Sequence, residues 1–105
     1  MTDIVRLCGV DDVAPGTAKR VDVDGLRLAV VRIADDWYAI ADRCSHADES
    51  LALGDVWEDE RELECPKHGS TFSLLTGEPQ TLPATQPVVV YEVRVDGADV
   101  MLVTP

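Results

Sequence analysis

The 105-residue chain predicts an all-β fold, and three observations carry that prediction. No segment sustains the apolar spacing of an amphipathic helix, whereas short β-branched and apolar runs recur from end to end. Asp24-Gly25 and Asp96-Gly97 are two-residue hairpin signals, since both residue types tolerate the positive φ that matches the twist of flanking strands. There is no internal repeat or low-complexity stretch, and the length suits one domain over 1–105.

Taken in order, residues 4–10 are apolar and β-branched enough for a first strand, closed by Asp11-Asp12 and Ala14-Pro15-Gly16. A strand over 18–23 turns at Asp24-Gly25 into a strand over 26–33. A turn at Asp35-Asp36 leads into 37–41, which delivers the chain to Cys44. The first forty residues therefore predict a β-meander. From 45 to 53 the pattern loses period, and Gly54 turns the chain into a short strand at Val56-Trp57. The charged run 58–62 reads as a solvated hairpin tip, and 63–65 resumes the strand. Residues 71–74 alternate as another strand, and Thr76-Gly77-Glu78-Pro79 ends it. Leu82-Pro83-Ala84 and Pro87 form a stiff connector to strands at 88–95 and 100–103. Trp37, Tyr38 and Tyr91 fall within strands and are assigned to core packing.

With nine Lys and Arg against twenty Asp and Glu, the net charge is −11 and the pI near 4.3. Nucleic acid and anionic membranes would repel such a surface, so the expected partner is a protein with a basic face. Acidity alone also serves solubility. No basic start with an apolar run opens the chain and no segment reaches membrane-spanning length, so a cytoplasmic location is expected. Three cysteines leave no disulfide framework once two are ligands. Cys8, in an apolar strand, reads as a small buried hydrophobe.

The chemistry lies in Cys44-Ser45-His46 and Cys65-Pro66-Lys67-His68-Gly69-Ser70. The chain has only two histidines, and each stands within three positions of a cysteine. Two thiolates and two imidazoles fill the protein positions of a tetrahedral zinc, or of a Rieske cluster with two cysteines on one iron and two histidines on the other. Zinc modules usually pair like with like, whereas each short segment here holds one of each type, which favours the cluster. Gly69 allows close approach of backbone to a cofactor, and Ser70 supplies a hydroxyl donor.

These segments, with Phe72, Thr76-Gly77 and Leu82-Pro83-Ala84, resemble the bacterial Rieske-type ferredoxins of ring-hydroxylating dioxygenase systems. The resemblance implies a Rieske-type antiparallel β-sandwich with a cluster-binding subdomain inserted at about 43–84. It implies one [2Fe–2S] cluster held by Cys44 and Cys65 on one iron and by His46 and His68 on the other. Ser70 would donate to a bridging sulfide, and Pro83 would lie over the cluster as a third wall. The function implied is that of a monomeric one-electron carrier, not itself an enzyme, between an NAD(P)H-dependent ferredoxin reductase and a terminal oxygenase. High-potential members carry an extra disulfide and a tyrosine after the serine. This chain has Lys67 and Asp48-Glu49 near those cysteine positions and Phe72 for the tyrosine, so a low potential is expected. Asp48 and Lys67 would stand at a docking rim or be ordinary exposed loop residues. Other readings are a small subunit of a larger oxidoreductase such as nitrite reductase, a partner of iron–sulfur assembly, and a structural zinc module.

Overall fold

Leu28, Ala29, Val30 and Val31 are consecutive and all fully buried, which a strand allows only where both of its faces are covered. They belong to β3 (Leu26–Ile33), the strand shared by the two cores of the molecule. The computed structural model describes residues 3–43, 50–67, 69–81 and 86–104.

In chain order the other strands are β1 (Asp3–Gly9), β2 (Thr17–Val23), β4 (Asp36–Ala41), β5 (Val56–Trp57), β6 (Glu62–Glu64), β7 (Thr71–Ser73), β8 (Val90–Asp96) and β9 (Asp99–Thr104). Short 3₁₀ turns stand at Val10–Asp12 and Leu51–Leu53, where the sequence suggested only turn and loop. Asp24 and Gly25 both have positive φ, 49° and 79°, as the predicted hairpin requires.

The strands form a six-stranded antiparallel sheet in the order β1-β9-β8-β4-β3-β2 and a three-stranded sheet, β5-β6-β7. The meander expected of the first forty residues is real only for β2-β3-β4. β1 pairs instead with β9, from Asp3 opposite Thr104 to Gly9 opposite Asp99, at the far edge of the sheet. The turn after β1 carries its chain across the sheet rather than back alongside it, so no neighbour in sequence is available to pair with. The two halves of the large sheet are joined by a short ladder in which Ala39 faces Tyr91 and Ile40 faces Val90.

Alternation along β3 then assigns each side chain to a core. Leu28 and Val30 pack with Leu7, Cys8, Val100 and Leu102, where β1 and β9 fold over β3. Ala29, Val31 and Ile33 point the other way, onto Leu51, Leu63, Cys65, Phe72 and Leu74 of the segment inserted between β4 and β8. Tyr38 packs against this second core, and Trp37 and Tyr91 against the first, all three partly buried. The second core thus attaches this inserted segment to the scaffold.

Candidate metal centre

Cys65 follows β6 directly and is fully buried and unbridged. Its backbone N–H donates to the Ser70 carbonyl at 2.6 Å, and its carbonyl accepts from the Gly69 N–H at 3.0 Å. These two bonds close residues 65–70 into a tight loop, with Gly69 in the left-handed region at φ 75°. Ser70 is fully buried at the loop's end, where β7 begins. The loop is strapped from outside. The Thr71 N–H donates to the Thr81 hydroxyl at 2.9 Å, and the Gln80 N–H to the Thr71 carbonyl at 2.7 Å. The chain entering 82–85 therefore runs beside this loop. Pro83 itself lies outside the described residues, as do Cys44, His46, Asp48 and His68. Lys67 is exposed, which both a docking-rim residue and an ordinary loop residue would be.

Arg43 and Ser50 flank the segment of the sequence-predicted ligands Cys44 and His46, and a buried carboxylate holds these two flanks together. Asp42 is fully buried. Its Oδ2 accepts from Arg27 Nε at 3.0 Å and from the Ser50 hydroxyl at 2.6 Å, and its Oδ1 accepts from the Ala52 N–H at 2.8 Å. Its carbonyl accepts from the Leu51 N–H at 2.6 Å, and its own N–H donates to the Arg27 carbonyl at 2.9 Å. A bridge between Arg43 and Ser50 completes the closure. A carboxylate removed from water survives only when paired and hydrogen-bonded, and this one is both.

One glycine brings the flanks of the two sequence-predicted ligand segments together. Gly54 ends the 3₁₀ turn that follows the first segment, and its backbone rests on Glu64, the residue before Cys65. A Cβ at Gly54 would overlap the Glu64 carbonyl oxygen and crowd the Pro66 ring. The Glu64 N–H, in turn, donates to the Asp55 carbonyl at 2.9 Å. The φ of Gly54 is an ordinary −86°, so the requirement is space, not conformation.

Of the sequence-predicted site residues, Cys65 and Ser70 lie in one closed loop, joined by the 2.6 Å bond between their backbones. Asp42 and Gly54 were missed as site residues. An acid two positions before Cys44, directly after an apolar strand, is the one sequence signal that could have marked Asp42. Cys8 stands apart in the first core at 3% exposure, as a structural thiol should. Burial pushes its pKa up, Asp12 adds to the shift, and Lys19 and Arg6 oppose it. In its first core Cys8 is thus a neutral thiol, not a ligand.

The residues present suit an iron–sulfur cluster. A buried, unbridged thiol opens a loop whose glycine leaves room for backbone to approach a cofactor and whose end buries a hydroxyl. Comparison with known proteins agrees. The model of the Rieske [2Fe–2S] domain matches residues 3–92. The 3-phenylpropionate/cinnamic acid dioxygenase ferredoxin subunit of Escherichia coli K12 is 41% identical over 101 residues, covering 96% of this chain and 93% of that protein. The ferredoxin of carbazole 1,9a-dioxygenase from Nocardioides aromaticivorans IC177 superposes with a TM-score of 0.91 at 42% identity, covering 97% of each chain. A ferredoxin solved in complex with the oxygenase of carbazole 1,9a-dioxygenase gives 0.85 at 39% identity, covering 94% of this chain and 91% of that one. The chain belongs to the Rieske [2Fe–2S] domain family, and its cofactor is one [2Fe–2S] cluster.

Proposed function

We propose that this protein is a one-electron carrier that takes electrons from an NAD(P)H-dependent ferredoxin reductase and delivers them to a terminal oxygenase. The observation that carries this reading is identity of 39–42% along almost the whole chain to ferredoxins of dioxygenase systems, one of them solved on its oxygenase. The chain acts as a single monomeric domain in the cytoplasm, and its net charge of −11 suits brief encounters with basic partner faces. No helix among the described residues is long and apolar enough to cross a membrane.

In this reading Cys44 and Cys65 ligate one iron and His46 and His68 the other. Held there, a cluster would supply one-electron chemistry, at a potential raised above that of four-thiolate clusters because neutral imidazoles replace two anionic ligands. The protein's own part is to hold the ligands in place and exclude water. The backbone bonds of 65–70 fix Cys65, and the Asp42 brace fixes the mouth of the segment bearing Cys44 and His46. The buried Ser70 hydroxyl is the donor that tunes the potential. Phe72, fully buried where high-potential members have a tyrosine, cannot donate. One neutral hydrogen bond is worth about 1 kcal/mol, or roughly 40 mV in a one-electron couple.

Visible absorption and EPR spectra of the anaerobically purified protein, before and after dithionite, test the ligand set. A red-brown protein that bleaches partly and gives the low-average-g signal of a histidine-ligated [2Fe–2S] centre supports it. His68→Cys should abolish that signal, and Ser70→Ala should lower the potential by about 40 mV. Reoxidation of the reduced protein by the oxygenase of a carbazole 1,9a-dioxygenase system, followed by stopped flow, tests the carrier role. A colourless protein holding stoichiometric zinc would overturn both.

A further inference from the structure

The outward face of the small sheet carries a groove that the electron-carrier reading does not use. Alternation puts Leu63 and Phe72 into the core and turns Trp57, Glu62, Glu64 and Thr71 to the opposite face. Trp57 stands directly across the ladder from Glu62, and Glu64 directly across from Thr71. With Glu60 these residues line a groove of about 240 Å³. Its remaining walls are Gly69, next to the ligand His68, and Thr81. The volume is below the roughly 300–1,000 Å³ of small-molecule sites, and suits one long side chain.

Three features specify what that side chain is. Among the described residues the groove is lined by three glutamates and no cation. Its aromatic wall is open: Trp57 is 45% exposed. The aromatics of β4 are not left in this state, since Arg32 lies 5.3 Å from the Trp37 ring centroid and Arg61 5.9 Å from that of Tyr38. Among the described residues no arginine lies over Trp57. Finally, Thr71, at 5% exposure, keeps its Oγ1 buried without a hydrogen-bond partner among the described residues, which leaves an unpaired hydroxyl on the groove's inner wall.

We propose that this groove seats an arginine side chain of the redox partner protein, its guanidinium stacked on Trp57 and paired with Glu62 and Glu64. The chemistry selects arginine over lysine. A planar guanidinium stacks on an indole face while its fork of N–H donors meets carboxylates in the same plane, which a compact ammonium cannot do. An arginine held here docks the partner beside Gly69, one residue from a histidine ligand, where an electron leaves or enters. The proposal rests on the electron-carrier reading for the identity of the partner, but not for the chemistry of the groove.

The holoprotein labelled with 5-fluorotryptophan tests it. Two tryptophans give two ¹⁹F resonances, assigned with Trp57→Phe. Titration with acetyl-Gly-Arg-Gly-amide should shift Trp57 saturably and leave Trp37, already covered by Arg32, in place. The lysine and citrulline counterparts should bind more weakly. The doubly substituted Glu62→Gln/Glu64→Gln protein, altered only at partly exposed positions, should bind at least about fivefold more weakly. A silent Trp57, an equal response to the citrulline peptide or to calcium chloride at matched ionic strength, or full binding by the double variant would each overturn the proposal. Stopped-flow transfer to the carbazole dioxygenase oxygenase separates the two claims. Transfer with a silent Trp57 removes the groove alone, and a responsive Trp57 without transfer removes the carrier reading alone.

Discussion

The two segments that carry the proposed ligands are held by different means. At 65–70 the chain closes on itself through main-chain bonds, Cys65 N–H to Ser70 and Gly69 N–H to Cys65. At 44–49 the ends are clasped by one side chain, Asp42, which gathers Arg27, Ser50 and Ala52 around a carboxylate with no contact to water. The backbone-closed loop should tolerate substitution at its exposed positions, whereas the other depends on a single charged group. Gly54 is common to both, because it seats the exit of the first segment on the entry of the second.

That comparison is broken most severely at the shared point. Gly54→Ala drives a methyl into the Glu64 carbonyl, a backbone atom that cannot swing aside, and should cost about 3 kcal/mol or more, as overpacking a closed contact does. The holoprotein should lose its visible absorption at a lower urea concentration than wild type. Unchanged unfolding would mean that the two segments are not clamped together there. Asp42→Ala comes next, at about 2–3 kcal/mol, because it leaves the Ser50 hydroxyl and the Ala52 N–H without an acceptor and strips the half-buried Arg27 of its anion. Asp42→Asn keeps the shape and should cost less, since its carbonyl still accepts from Ala52. Both should release iron to a chelator faster than wild type, and equal release rates would remove the brace from the account.

The range of these effects bears on what was legible beforehand. Strand positions were readable to within a residue or two because β-branched runs and Asp-Gly turns are local signals, and the metal-binding chemistry was readable because it resides in residue type and spacing. The partner of β1 was not readable: pairing with β9 is settled by how the sheet folds over, across the length of the chain. Asp42 was not singled out, since its meaning depends on Arg27, fifteen residues upstream on β3. Gly54 was read as a turn residue, yet its φ is unexceptional and what it supplies is room for Glu64.

Gly69→Ala sharpens the contrast from the other side. Among the described residues nothing lies within contact of a Cβ there, so the penalty from the protein is the positive φ of 75°, about 1 kcal/mol. If the loop is closed by its backbone, the variant should keep its cluster spectrum while its urea midpoint falls slightly. Loss of the cluster would show instead that Gly69 is needed for contact with the cofactor itself.

The smallest effect asks whether the scaffold core is independent of both loops. Cys8 is buried in that core with its thiol pKa raised, chiefly by burial and secondarily by Asp12. Above the ordinary thiol pKa of about 8.5 the unfolded chain gives up this proton while the folded chain retains it. The unfolded state then binds fewer protons, so stability is complete below that pH and declines as pH rises toward the folded value. Cys8→Ala should remove this part of the alkaline slope, at a cost of about 1 kcal/mol at neutral pH for the small cavity it opens. Its visible and EPR spectra should match wild type, because Cys8 packs with Leu28 and Val30 on the face of β3 opposite the core that holds Cys65. A spectral change in this variant would mean that β3 transmits strain from one core to the other, and that the ligand loops are not held by their local bonds alone.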